Sequence, residues 1–262
     1  MSKSETSRGH SRPNAWRSAA ARRLRALAGN VRTTEEAVSV IVHRLLSGVT
    51  FPPTDLDAIA GRIDAEIEFD ESLLGSGALE RSAIGYRILC SPHQPKVRQR
   101  FTISHEMAHI IFERTGPHCP RRGKELELLC DRISAALIIP DEVFRTVIGT
   151  RPNIRLLLKL ARTCEASLQT ALIRTTELCR DCSAVLSCED ETERELYGRN
   201  LKWMGKYAAS QIEDLWLLTS ESPRGQTTRR LLTPDGTRLL HIEWAVVGPN
   251  QRPMILLQNL LG

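Results

Sequence analysis

The sequence predicts an α+β protein, in which a mostly helical core with a small β-sheet precedes a helical pair and a small α+β C-terminal region. Apolar residues recur with helical spacing in residues 35–47, 100–114 and 125–139. Residues 64–90 are instead rich in strand-forming side chains, and the last seventy residues contain three of the four tryptophans. These separate helical and strand-forming blocks predict the α+β class.

The positive charge of the chain is concentrated at its N-terminus. Residues 1–34 contain eight Lys or Arg residues against one acid, whereas all 262 residues together have a formal net charge of only +5. Trp16 is the only aromatic residue of this segment. We therefore expect a disordered basic arm that runs into a short helix and attracts nucleic acid only weakly.

The composition also excludes some classes of protein. With 41% hydrophobic and 26% charged residues, the chain is typical of a soluble globular protein. No apolar run approaches the ~18 residues that a membrane-spanning helix needs. Arg22, Arg23 and Arg25 interrupt the Ala/Leu-rich stretch that a secretory signal would require. We expect a cytoplasmic protein, with a mitochondrial transit peptide as the alternative interpretation of the Arg- and Ser-rich tail.

The first predicted elements follow the basic arm. Residues 35–47 predict one helix, and residues 56–63 predict a second whose N-cap is Thr54 or Asp55. Within residues 64–90, the segments AEIEFD and IGYRILC predict two strands joined by a Gly/Ser-rich turn.

The strongest helical patterns of the chain cover residues 100–114 and 125–139. The turn-rich segment TGPHCPRRGK connects them. Together with the elements before them, these helices predict a core domain over residues 35–152.

Two further regions complete the predicted organisation. Residues 153–190 predict a helical extension with two amphipathic helices that meet near residues 164–167. We interpret them as a helical pair packed on the domain, with a helix–turn–helix DNA-recognition unit as the alternative. Residues 191–262 predict a small α+β region of unassigned role, with a β-hairpin around Pro234-Asp235-Gly236.

Seven cysteines, an odd number, are scattered along the chain, as in proteins of a reducing compartment. Cys179 and Cys182 form a CxxC pair with Cys188 nearby, but no second CxxC pair supplies the four ligands of a structural zinc site. A thioredoxin-like motif would follow a strand, whereas this pair ends a helical pattern. We interpret these residues as reduced or peroxide-sensitive thiols rather than as metal ligands.

The chemistry of the chain is concentrated in the HEMAH motif. His105 and His109 are four residues apart, so on a helix both imidazoles lie on one face and can bind one metal ion. Glu106 is the next residue round the helix and can accept a proton from a water molecule whose pKa zinc lowers to ~7. The apolar residues around the motif indicate a buried helix rather than two histidines on a solvated surface.

A catalytic zinc ion needs three protein ligands and an open position. A third histidine six residues after the second is excluded, because position 115 is Thr. Glu127 lies 18 residues after His109 at the start of the next predicted helix, and we predict it as the third ligand. Asp131, one turn later, is predicted to orient a ligating imidazole through a hydrogen bond.

Three other side chains compete for a place in this site. Glu125 has no acidic residue one turn later and is better placed as a charge at the helix N-terminus. Glu113 shares a helix face with His109 and is an alternative ligand or hydrogen-bond acceptor, whereas His118 is expected at the rim. An imidazole-rich ligand set favours zinc, then manganese, over calcium or magnesium.

Two segments around the predicted site carry a family resemblance. Residues 100–109, RFTISHEMAH, are similar to the motif RFTxAHELGH, and residues 127–140, ELLCDRISAALIIP, to ExxANxFAAxLLMP. Both motifs are typical of the ImmA/IrrE family of metallopeptidases, and the resemblance covers about residues 35–180. Met107 and Ala108 replace the usual Leu-Gly, and Cys130 replaces Ala.

The resemblance implies a gluzincin-like fold, related to a minimal thermolysin-like protease domain. It implies His105, His109 and Glu127 as metal ligands and Glu106 as the general base. Members of the family cleave or otherwise inactivate helix–turn–helix repressors and so release mobile-element or stress-response genes. The group that stabilises the oxyanion is not apparent, and Tyr86 and Arg100 are candidates only by proximity in the sequence.

Two other functions are compatible with the same residues. The first is a non-catalytic regulator that binds a repressor, a toxin or DNA and whose metal site is closed by His118 or Glu113. The second is a DNA-binding protein that uses the basic arm and residues 153–179, and its binding would weaken steeply with salt.

Overall fold

The computed structural model describes eight separate stretches of the chain, which are residues 18–114, 123–149, 151–179, 182–187, 194–198, 221–233, 236–247 and 252–259. The predicted α+β class is confirmed, since these residues form eight helices and two β-sheets. Their contacts divide them between two compact units, the first within Pro13–Val147 and Lys159–Ala171, the second within Ile148–Leu158 and Leu172–Gly262. None of the described helices has the length and apolar character that would let it cross a membrane.

Three capped helices begin the first unit. In each, a side chain before the helix accepts a hydrogen bond from the backbone of the first turn, as an N-cap does. Of the two predicted caps of the third helix, Asp55 has this role, and Thr54 does not. The helices are α1 (Ala19–Ala28, capped by Ser18), α2 (Thr34–Leu46, capped by Thr33) and α3 (Leu56–Arg62, capped by Asp55).

Residues 18–34, which the charge pattern assigns to a disordered arm, are folded. Helix α1 buries Ala21 and Leu24 completely and leaves Arg22 and Arg25 exposed. The Arg44 guanidinium donates to the last two carbonyl groups of α1, at 2.7 and 3.2 Å. An amphipathic helix can keep its charges in water while its apolar face packs, so the basic charge did not prevent folding. Residues 1–17 lie outside the described residues.

A three-stranded sheet follows these helices. It consists of β1 (Ala65–Phe69), β2 (Gly77–Arg81) and β3 (Tyr86–Cys90). The strand order is β1-β3-β2, with β1 parallel and β2 antiparallel to β3. The predicted strands β1 and β3 are confirmed. Strand β2 lies where the sequence predicts a turn, because a glycine at its start and charged residues at its end are not typical of a strand.

The two strongest helical patterns form the long helices α4 (Lys96–Glu113) and α5 (Lys124–Ile138). They pack against each other, and α4 also packs on β2 and β3. Their contact faces are apolar and buried, and Met107, Ile110 and Ile133 are completely inaccessible to solvent. Pro140 follows the end of α5. The next element is the short helix α6 (Asp141–Ile148), which the sequence did not predict.

The predicted helical pair is confirmed as α7 (Ile154–Thr163) and α8 (Leu168–Leu178). The helices meet at residues 164–167, as the sequence predicts. The extension is helical only as far as Leu178, because Cys182–Ser187 form the strand β4 rather than a continuation of the helix.

An antiparallel five-stranded sheet dominates the described part of the second unit. Its order is β5-β4-β8-β7-β6. The predicted hairpin is confirmed by the pairing of Thr233 with Gly236, and its turn residues Pro234 and Asp235 lie outside the described residues. Cys188, Trp203 and Trp216 also lie outside them. The strands are β4 (Cys182–Ser187), β5 (Arg194–Gly198), β6 (Arg224–Thr233), β7 (Gly236–Val247) and β8 (Arg252–Asn259).

The packing of α1 can be tested by truncating a buried leucine. Leu24→Ala removes a side chain that is 0% exposed, so we expect the free energy of unfolding to fall by about 2–5 kcal/mol in urea denaturation. Leu74→Ala is the matched control, since Leu74 is fully exposed, and it should leave stability within about 0.5 kcal/mol. Equal effects of the two substitutions would show that α1 does not belong to the core.

Candidate metal centre

Helix α4 places the two histidines of the HEMAH motif side by side. The four-residue spacing brings the ring centroids of His105 and His109 to 4.9 Å and their Nε2 atoms to 3.1 Å. Apolar residues on the rest of the helix bury it, so the two histidine side chains are only 18% and 17% exposed. The helix therefore presents two imidazole nitrogens at one point near the surface.

Glu127 of α5 completes this cluster. Its Oε2 atom lies 3.2 Å from Nε2 of His105 and 3.5 Å from Nε2 of His109. Among the described residues, these three side chains form the one group of His, Cys, Asp and Glu residues whose ligand atoms converge in this way. The side chain of Glu127 is 48% exposed, so solvent reaches the cluster from the side on which Glu127 lies.

Asp131, one turn after Glu127 on α5, contacts the other nitrogen of His105. Its Oδ1 atom is 3.0 Å from Nδ1. A proton on Nδ1 is donated to this carboxylate, which leaves the lone pair of Nε2 directed at the cluster. Burial lowers the pKa of His105. The hydrogen bond and charge of Asp131, with the charges of Glu106 and Glu127, together raise this pKa by more, so it lies above its ordinary value.

The donor set fits a metal ion of the size of zinc. Four ligands arranged tetrahedrally at ~2.0–2.1 Å from such an ion lie about 3.3 Å from one another. The three distances among the atoms of His105, His109 and Glu127 are 3.1, 3.2 and 3.5 Å. With the His105 proton on Nδ1 and no cation present, Nε2 of His105 and the Glu127 carboxylate are both acceptors, and their lone pairs face each other at 3.2 Å.

Glu106 lies on the adjacent face of α4, beneath the start of β2. Burial raises the pKa of the Glu106 carboxyl and the charge of Glu127 raises it further, while the nearby histidines lower it, with a net increase. A Cβ atom on Gly77 would lie 3.7 Å from Oε1 of Glu106 and would overlap the side chain of Thr102. The absence of a side chain at Gly77 therefore lets the edge strand pack closely on Thr102 of α4, beside the carboxyl group of Glu106.

The competing acids are placed elsewhere. Glu113 accepts two hydrogen bonds from the Arg81 guanidinium, at 2.7 and 3.0 Å, and so ties the end of α4 to the end of β2. Neither Glu113 nor Glu125 belongs to the converging group found among the described residues. His118 lies outside those residues.

Neither residue suggested for the oxyanion is next to Glu106. Tyr86 pairs with Arg81, and Gly77 pairs with Cys90, so Tyr86 is about 13 Å along the sheet from the strand end above Glu106. Arg100 donates to the carbonyl oxygen of Thr54 at 2.8 Å and lies roughly 140° round the helix from His105. Proximity in the sequence was a poor guide for both residues.

A partly buried ion pair fixes α5 to the start of α2. The side chain of Arg132 is only 8% exposed and donates to Glu35 at 3.0 Å and to Thr34 at 3.3 Å. Since Arg132 follows Asp131 directly, this anchor restricts the rotation of the turn of α5 that contacts His105.

Comparisons with known proteins find a family model that covers the part of the chain containing this site. Residues 64–176 match the family model of the IrrE N-terminal-like domain, peptidase family M78, and they include all five residues of the predicted site. Among solved structures, a Mycobacterium tuberculosis transcriptional regulator is similar over 85% of this chain and 88% of its own, with 14% identity and a TM-score of 0.56. At this identity, the likeness concerns the fold alone. No curated protein matches the chain.

The contact between β2 and α4 gives a testable prediction. Gly77→Val places a branched side chain against Thr102 and the backbone of Leu89, so we expect the free energy of unfolding to fall by about 1–3 kcal/mol. Gly75→Val is the control, because a Cβ atom there meets nothing closer than 3.9 Å. Chemical denaturation measures both, and a Gly77 variant as stable as the control would contradict the close packing.

Proposed function

We propose that this protein is a zinc-dependent endopeptidase of the ImmA/IrrE family, because residues 64–176 match the family model of the IrrE N-terminal-like domain. The family supports a metallopeptidase-type function. The observation that carries the finer proposal is the convergence of His105, His109 and Glu127 within the span of one ion, beside the half-buried carboxyl of Glu106.

The proposed ligands are the Nε2 atoms of the two histidines and a carboxylate oxygen of Glu127. Two imidazoles and one carboxylate favour zinc, with manganese as the second choice. When bound, the ion would polarise the scissile carbonyl group and lower the pKa of a water molecule to ~7. Asp131 holds the proton of His105 on Nδ1, so that Nε2 is available as a ligand.

Glu106 is the proposed general base. Its carboxylate would accept the proton of the attacking water on one oxygen and then donate it to the nitrogen of the leaving amine. Burial raises the pKa of this carboxyl group, which increases its strength as a base. Glu106 lies beside the two histidines on α4, and this position supports its role as a base. It does not belong to the converging group of ligand atoms, so we do not propose it as a ligand.

The sheet supports a peptide as the substrate. In the described part of the first unit, β2 is an edge strand, and its first residue lies above Glu106. An extended peptide can add to the free edge of a sheet through backbone hydrogen bonds. Following the family, we propose a helix–turn–helix repressor as the substrate, cleaved in the cytoplasm to release mobile-element or stress-response genes.

The alternative is a regulator that binds a repressor, a toxin or DNA without cleavage. Its metal site would be closed by a fourth protein ligand. Glu113, the described residue proposed for that position, is occupied by Arg81 instead. This pairing argues against Glu113 as a fourth ligand, whereas His118, the other residue proposed for that position, lies outside the described residues.

Substitution of the proposed base separates catalysis from metal binding. Glu106→Gln should retain about one zinc per chain by elemental analysis and should lower cleavage by roughly 10²–10⁴-fold, because the amide cannot accept the proton. Cleavage is measured by mass spectrometry on candidate repressor proteins of the helix–turn–helix class. Glu142→Gln, an exposed acid on α6, is the control and should change neither quantity. Undiminished cleavage by Glu106→Gln would exclude it as the base.

Substitution on α5 tests the proposed ligand set. Glu127→Ala should lose bound zinc, and Asp131→Asn should weaken zinc binding by about 10–100-fold, because the amide does not hold the His105 proton as the carboxylate does. Competition with a fluorescent chelator measures both affinities. Glu125→Ala, on the same helical turn as Glu127, is the control and should bind zinc like the wild type. Full zinc binding by Glu127→Ala would remove that residue from the ligands.

A further inference from the structure

We propose that Thr54 is a positioning residue that fixes the register of α4 against α5 and so brings the metal ligands into range, an inference that rests on the proposed function for its metal. Thr54 lies in the turn before α3 and is on neither ligand-bearing helix. Its only contribution to the site is through the two helices that it joins.

The side chain of Thr54 is buried between the ends of both helices. Only 1% of the residue is exposed. Its hydroxyl group donates to the carbonyl oxygen of Leu137 on α5 at 2.7 Å. Its own carbonyl oxygen accepts a hydrogen bond from the Arg100 guanidinium of α4 at 2.8 Å. One residue thus connects α4 and α5 through two directed hydrogen bonds.

The carbonyl group of Leu137 needs a partner from outside its helix. It belongs to the last turn of α5, where carbonyl groups lack an intrahelical donor. Pro140, three residues later, has no N–H group to donate to it, and the N–H group of Ile139 donates to Ala135 at 2.9 Å. The hydroxyl of Thr54 therefore satisfies a buried acceptor, and this bond cannot be replaced by water without opening the core.

The Thr54 connection continues a series of contacts between antiparallel helices. His109 of α4 faces Glu127 at the start of α5, and His105 faces Asp131 one turn later. Arg100, further back on α4, meets Leu137 near the end of α5 through Thr54.

These contacts depend on one register. A slide of one helix by a full turn is ~5.4 Å, which takes each contact beyond hydrogen-bond range. The first two contacts are made by partly exposed side chains, whereas the third is buried at Thr54, whose hydroxyl and carbonyl groups bond to Leu137 and to the Arg100 guanidinium. The third contact therefore adds a directed, buried connection to the apolar packing of α4 on α5, and the two together fix the register before any metal binds.

The test compares two substitutions at Thr54. Thr54→Val keeps the shape but removes the hydroxyl, whereas Thr54→Ser keeps the hydroxyl. Zinc affinity is measured by chelator competition on the folded full-length protein, with the melting temperature recorded for each variant. We expect Val to weaken zinc binding by about tenfold and Ser to restore it to within about twofold of the wild type.

A matched control separates positioning from simple stabilisation. Thr176→Val makes the same chemical change at a buried residue of α8, which carries no ligand and where the hydroxyl donates to the carbonyl oxygen of Ile173 at 3.0 Å. It should lower the melting temperature but leave zinc affinity unchanged. If Thr54→Val also leaves zinc affinity unchanged while it lowers the melting temperature, Thr54 is merely structural and the proposal is wrong.

A second readout does not require the metal. In the metal-free protein, the ¹⁵N resonances of the His105 ring report the Nδ1 proton that is shared with Asp131. We expect this signature to be lost in Thr54→Val and kept in Thr54→Ser. A wild type that binds no zinc would overturn the proposed function, and this spectrum would still decide whether Thr54 sets the helix register.

A further variant covers the case in which Thr54→Val does not fold. Arg100→Gln removes the guanidinium contact with the Thr54 carbonyl and leaves the buried hydroxyl in place. It should weaken zinc binding in the same direction, and wild-type affinity in this variant would contradict the proposal.

Discussion

The antiparallel packing of α4 against α5 is the constraint on which the candidate metal centre depends. Helix α4 carries both histidines and the proposed base, and α5 carries Glu127 and Asp131, so neither helix holds a complete ligand set. Buried apolar residues of both helices, such as Met107 and Ile133, belong to one core cluster. Because protein interiors are close-packed, such a contact resists sliding and rotation. The precision of the site thus comes from the core beneath it.

This packing brings like charges together, and a cation would offset the cost. Glu106, Glu127 and Asp131 surround two imidazoles in a half-buried site, where burial and the charge of Glu127 raise the pKa of Glu106. The same acids raise the pKa of His105 against the effect of its burial. A cation between the histidines and Glu127 would neutralise the carboxylate that is closest to the imidazole nitrogens. The electrostatics and the ligand distances therefore favour the same occupant.

Much of the fold was predictable because its signals are local. Helical spacing predicted α2, α4, α5, α7 and α8, and the side chain of Asp55 was one of two caps proposed for α3. The two histidines of HEMAH follow from helix geometry alone. By contrast, the arginines of α1 led to the prediction of a disordered arm. The apolar face of α1 is buried only by contact with α2, α4 and α5, which its own sequence does not reveal. The strand β2 was hidden by Gly77, whose lack of a side chain has a function only once α4 lies beneath it.

The residues that escaped prediction each act through a partner that is distant in the sequence. Nothing near Thr54 distinguishes a buried connection from a helix cap, and the neighbouring Asp55 makes the cap. Arg100 is close to the motif in sequence, yet its guanidinium serves Thr54 and not the catalytic face. Bonds within one helical turn determine which side chains share a face, so a motif predicts the chemistry of a site. The distance between two helices depends on contacts that exist only after folding, so the geometry that allows this chemistry is set by residues outside the motif.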